Sequence, residues 1–94
     1  MEELTQEQLM VLHEKAKLIE LKPVISSNIG GMGYDEENKL LKVAFKTKTG
    51  SNIYLYENVE KETYDLITTD KTSVGSALSK NVIKQKDKYR YIKL

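Results

Sequence analysis

The chain has 94 residues, 39% of them hydrophobic and 31% charged, which is enough for one domain around a single core and too little for a two-domain cleft enzyme. It has no cysteine, so a disulfide framework and a thiolate zinc site are both excluded, and a reducing, cytoplasmic setting is expected. The formal net charge of +1 hides an asymmetry: residues 71–94 carry seven cations (Lys71, Lys80, Lys84, Lys86, Lys88, Arg90 and Lys93) against Asp87, while the rest carries eight cations and thirteen anions. Such a split points to an anionic partner for the basic end, or to neutralisation within the fold.

In chain order, Thr5 and Gln8 have the spacing of a capping box, with Leu4 and Leu9 placed as a hydrophobic staple. A helix is predicted over residues 6–20, where Leu9, Leu12, Ala16 and Ile19 recur at helical spacing and Met10, Val11 and Leu18 widen the stripe, until Pro23 stops it. Two readings compete for this helix: a lid on its own sheet, or a surface for a homodimer. Residues 24–29 read as a short strand, broken by Gly30, Gly31 and Gly33 before a polar turn over Tyr34 to Asn38. Leu41, Val43 and Phe45 alternate in a half-buried strand, Lys48, Thr49 and Gly50 turn the chain, and a strand over residues 52–57 completes a hairpin.

A short helix carrying Val59, Thr63, Leu66 and Ile67 follows and ends at Thr68 to Asp70. Another starts near Ser73, with Val74, Ala77, Leu78, Val82 and Ile83 as its buried positions, and a last strand bears Tyr89 and Tyr91 on one face. The amino terminus lacks a basic start followed by an apolar run, and no stretch approaches the length of a membrane span, so neither secretion nor membrane insertion is expected. Lysine greatly outnumbers arginine, with Arg90 alone, which suits an AT-rich coding genome such as that of a low-GC bacterium or its phage.

The run Val24-Ile25-Ser26-Ser27-Asn28-Ile29, then Met32-Gly33-Tyr34-Asp35, the central Tyr54-Leu55-Tyr56, Tyr64, Ser73, Gly75, and the closing Ile83, Tyr89 and Tyr91 together resemble the KTSC domain. The resemblance covers about residues 24–93 and leaves the first helix outside it; it divides the chain into a helical extension, 1–22, and a KTSC-like domain, 23–94. It implies a small module of bacterial and phage proteins, also found at the carboxyl end of some lysyl-tRNA synthetases, for which RNA binding is the suggested role. Two departures from the pattern are Glu60, where a proline often stands, and the longer charged segment Lys84 to Lys88.

Read from the residues themselves, the first binding candidate is the sheet face bearing Tyr54 and Tyr56. If Val43, Phe45, Ile53 and Leu55 all face the core, Lys42 and Lys46 share the face of the two tyrosines, and rings interleaved with lysines suit bases and phosphates. The competing reading has the first helix covering that face and the tyrosines in the core. The second candidate is the later helix start, Ser73, Gly75 and Ser76 with Lys80, whose free N–H groups and hydroxyls suit a phosphate, against an ordinary Ser73 cap. Lys84 and Arg90 extend the basic surface.

The three glycines make no dinucleotide fingerprint and are expected at a bulge or tight turn; Asp35, Glu36 and Glu37 read as a solvated turn, and His13 as a helix-surface residue. No nucleophile has a base placed beside it, so no catalytic residue and no cofactor are assigned. The expected architecture is α+β: a small antiparallel sheet of three to four strands, two helices before the last strand, and an added N-terminal amphipathic helix. The expected function is a non-catalytic module binding a phosphate-bearing ligand, foremost RNA. The alternatives are a phage or bacterial protein that inhibits a host factor, or capture of a small signalling nucleotide.

Overall fold

The computed structural model describes residues 5–24, 28–69, 74–83, 85 and 89–94. Helix α1 (Gln6–Lys17) starts as its sequence requires: the Gln8 N–H donates to Thr5 Oγ1 at 3.1 Å, and the Thr5 N–H donates to Gln8 Oε1 at 3.0 Å. The Leu4 half of the expected staple lies outside the described residues. The helix ends at Lys17, short of the expected residue 20, because the Leu18 and Ile19 N–H groups turn back to the Lys15 and Ala16 carbonyls, each at 3.1 Å.

Strands β1 (Lys22–Pro23), β2 (Ile29–Asp35), β3 (Leu40–Thr47), β4 (Gly50–Tyr56) and β5 (Tyr91–Lys93) form one antiparallel sheet in the order β1-β2-β3-β4-β5. Between β4 and β5 the chain makes α2 (Lys61–Thr68) and α3 (Val74–Leu78), which runs directly into a π-helical turn, Ser79–Ile83. The architecture is therefore α+β, with the two helices before the last strand. The sheet has five strands where three or four were expected, because the two-residue β1 adds an edge and the glycine segment is itself a strand. Pro23 sits in that edge strand, where its missing N–H costs no interior ladder bond, and does not serve as the helix stop.

The glycines do not break β2. A register shift lies between Ile29 and Gly31, in keeping with the expected bulge. At Gly33 the reason for glycine is close approach: a Cβ there would lie 2.3 Å from the Glu20 carbonyl oxygen and 2.7 Å from Ile19 Cγ2. The segment leaving α1 crosses directly over β2 at that point.

The sheet is covered on both faces. On one, Ile29, Met32, Leu41, Val43 and Tyr56 pack with Val59, Ile67, Ala77, Leu78, Val82 and Tyr89. On the other, Leu12, Ala16 and Ile19 of α1 pack on Leu40 and Leu55, with Ile92 and Leu94 beside them. The lid reading of α1 thus describes its inner face. Met10, Val11 and Leu18, expected to widen that stripe, instead point outward, Leu18 being 87% exposed. Leu66 of α2 is likewise exposed while Ile67 is fully buried.

The register of the β3–β4 hairpin corrects the expected faces. Val43 pairs with Tyr54, Leu41 with Tyr56 and Lys42 with Leu55, and directly opposed residues share a face. Val43 and Phe45 therefore lie on the face of the two tyrosines, and Lys42 lies with Ile53 and Leu55 beneath α1. The hairpin closes on the pair Thr47 and Gly50, so only Lys48 and Thr49 form the turn; Gly50, counted as a turn residue from sequence, belongs to β4 at φ 153°. That one-residue difference flips the face. The helix covering the tyrosines is consequently not α1.

Candidate functional site

Four rings line up across β3, β4 and β5 on the helical face. Phe45 meets Tyr54 edge to face at a centroid distance of 5.6 Å, Tyr54 meets Tyr91 at 6.0 Å, and Tyr91 meets Tyr56 at 5.5 Å. With Val82 and Ile83 of the π turn and with Tyr89, these rings line a cleft of about 310 Å³. Tyr56 is buried at its inner end, Tyr54 is half-buried, and Tyr91 is 53% exposed at its mouth.

Polar groups complete the face. Asn52 pairs with Phe45, and Lys93 pairs with Tyr54, so both lie on the aromatic side, Lys93 exposed. Burial, with Tyr91 and Tyr54 alongside, pushes the Tyr56 hydroxyl up to about 12. It stays protonated and neutral at physiological pH.

Of the residues singled out from sequence, the structure brings Tyr54 and Tyr56 together in this cleft and places Lys42 elsewhere. The Lys42 ammonium donates to the Ala16 carbonyl at 2.9 Å and the Ile19 carbonyl at 3.2 Å, capping the end of α1 from beneath. Lys46 pairs with Ser51 near the hairpin tip, on the α1 side of the sheet. Gly75 and Ser76 lie in the first turn of the five-residue α3, and Lys80 is exposed in the π turn; Ser73 and Lys84 lie outside the described residues. Arg90 forms a bidentate ion pair with Glu57, which also donates its backbone N–H to the Arg90 carbonyl at 2.8 Å.

Sequence reasoning passed over Phe45, Tyr91 and Lys93 as site residues. A two-residue turn at Lys48-Thr49 was the signal that puts Phe45 beside the tyrosines. Elsewhere, Asp35 accepts from the Asn38 side-chain amide at 2.7 Å and its backbone N–H at 3.2 Å, which holds its carboxyl below the usual range. His13 is exposed on α1. Among the described residues no group of three or more His, Cys, Asp or Glu is placed to hold a metal ion, and no helix is long and apolar enough to cross a membrane.

An antiparallel sheet with one helix on one face, a helix pair on the other and the last strand supplied by the carboxyl end defines a small α+β domain of recognisable kind. The family model of the KTSC domain matches residues 25–91. The chain belongs to the KTSC domain family. Among solved structures it is similar to the KTSC domain protein YPO2434 from Yersinia pestis, with 29% identity and a TM-score of 0.66 over 81% of this chain and 97% of that one. Comparison with curated proteins gives no match. Helix α1 lies outside the residues matched by the family.

Proposed function

We propose that this domain is a non-catalytic binding module for single-stranded RNA, with bases stacked on Tyr54, Tyr91 and Phe45 and phosphates met by Lys93 and the basic carboxyl end. The observation that carries the reading is the row of rings lining the cleft, with an exposed cation on the same face of the sheet. Base stacking on aromatic side chains is worth about 1–3 kcal/mol per base and tolerates sequence, while lysines supply the salt-dependent part. The family membership supports a compact module and leaves the ligand open. A cytoplasmic setting follows from the RNA reading and agrees with the absence of cysteine.

Fluorescence anisotropy of a labelled single-stranded RNA at low and moderate salt tests it. Saturable binding that weakens with salt, and that falls about tenfold or more in a folded Tyr54→Ala/Tyr91→Ala variant, is expected. Absence of binding at low salt refutes it. A mononucleotide that raises the Tm without any affinity for longer RNA replaces it with the small-nucleotide reading.

A second reading rests on the outer face of α1, where Met10 is 68% exposed and Leu18 87% exposed. Here the protein acts by contact with a protein surface, that of a second copy or of a host factor met by a bacterial or phage protein. Sedimentation of wild type against Met10→Lys/Leu18→Lys, followed by a nuclease-treated pull-down, separates this reading from the first.

A further inference from the structure

Tyr56 differs from the other cleft residues in what it leaves available. Only 6% of it is exposed, so its ring has no free face on which a base can stack. Among the described residues its hydroxyl has no hydrogen-bond partner, and among them no unpartnered side-chain oxygen or nitrogen is sealed from the surface. The hydroxyl of this buried residue therefore reaches open space, and the space that Tyr56 lines is the aromatic cleft.

Buried tyrosines ordinarily find a partner for the hydroxyl, as Tyr34 does with the Val59 carbonyl. The cleft is walled by the Phe45, Tyr54, Tyr89 and Tyr91 rings and by Val82 and Ile83, and of its four tyrosines Tyr56 is the one buried on β4, so a flat heterocycle entering past Tyr91 meets the Tyr56 hydroxyl deepest in the sheet. A hydroxyl both donates and accepts, and a polar group waiting in an apolar pocket discriminates strongly between ligands that satisfy it and those that do not.

We infer that the Tyr56 hydroxyl reads the polar edge of one nucleobase inserted into the cleft, giving the domain a base preference that stacking alone does not provide. This rests on the RNA reading above. The raised pKa agrees with it, since the group remains a neutral donor throughout the physiological range. Stacking at the mouth then sets affinity, and the hydroxyl at the inner end sets selectivity.

The test titrates wild type and Tyr56→Phe with short labelled oligo(A), oligo(C), oligo(U) and a guanine-containing oligomer. Wild type is expected to prefer one base. Tyr56→Phe is expected to bind that oligomer about tenfold more weakly and the others unchanged, which flattens the preference. Its Tm should match wild type, because the deleted hydroxyl bonds to none of the described residues. Tyr34→Phe, which deletes a hydroxyl used inside the fold, should lower the Tm and keep the preference. As a second readout, the NMR resonance of the Tyr56 ring carbon bearing oxygen should move on saturation with the preferred oligomer.

Equal wild-type affinity for all four oligomers, an unaltered preference in Tyr56→Phe, or a stationary resonance overturns the inference while RNA binding stands. Failure of wild type to bind any oligomer removes the RNA reading itself.

Discussion

Gly33 and Lys42 face each other across β2 and β3, and both serve the end of α1. Lys42 holds the Ala16 and Ile19 carbonyls, while Gly33 leaves the space that the Glu20 carbonyl fills. Gly33→Ala forces backbone against a methyl group with no flexible atom to yield, and a loss of about 1–3 kcal/mol in denaturant unfolding is expected. Lys42→Met leaves two carbonyls without their cap and should cost about 1–2 kcal/mol. Because Lys42 lies under α1, that variant is expected to bind RNA like wild type once folding is confirmed.

The start of α2 is tied down from two sides. The Val59 N–H donates to the Lys39 carbonyl at 3.0 Å, and the Tyr34 hydroxyl donates to the Val59 carbonyl while its ring stacks on Tyr64 at 4.8 Å. Tyr34→Phe keeps the stack and orphans the carbonyl, so thermal unfolding should show a loss of about 1 kcal/mol. Val59→Ala removes a fully buried side chain from the main core and is expected to cost about 2 kcal/mol or more.

Alkaline pH provides a separate handle on the cleft. The Tyr56 hydroxyl titrates near 12 in the folded protein, above the ordinary 10.0. The unfolded chain therefore releases this proton first, and the associated stability is complete below pH 10 and lost as pH rises towards 12. The Tm of wild type should fall more steeply than that of Tyr56→Phe across that window, followed by circular dichroism alongside tyrosinate absorbance.

Glu57 neutralises the arginine that composition alone offers as a phosphate ligand. The pair is shielded, with side-chain exposures of 15% for Glu57 and 32% for Arg90, so breaking it should lower stability by about 1–2 kcal/mol with little dependence on salt. On the RNA reading, Glu57→Gln strengthens binding a few-fold at low salt by removing a negative charge beside Arg90. Isothermal titration at two salt concentrations checks both the sign and its screening.

The capped start of α1, the β3–β4 hairpin and the order of the later helices were legible because each depends on neighbouring residues: Thr5 with Gln8, Leu41 to Phe45 alternating, Ala77 and Leu78 with Val82. The faces were not legible. Both alternations of β3 are apolar, Leu40 and Ala44 on one side and Leu41 and Val43 on the other, because the sheet is covered on both sides. Nothing in the strand pattern then breaks the tie, and whether Gly50 belongs to the turn or to β4 decides where Lys42 points. The π turn was equally hidden, since Val82 and Ile83 fit a continuing helix by spacing alone.

Because α1 covers Leu40 and Leu55 yet stands outside the KTSC match, a chain cut to residues 25–91 keeps its family signature and loses its coat. Such a fragment would carry a greasy underside and clump at working concentrations, and its silence in an assay would say nothing about the aromatic cleft on the opposite side. The leading helix thus shields from water an apolar sheet face that the family's own segment leaves to something outside itself.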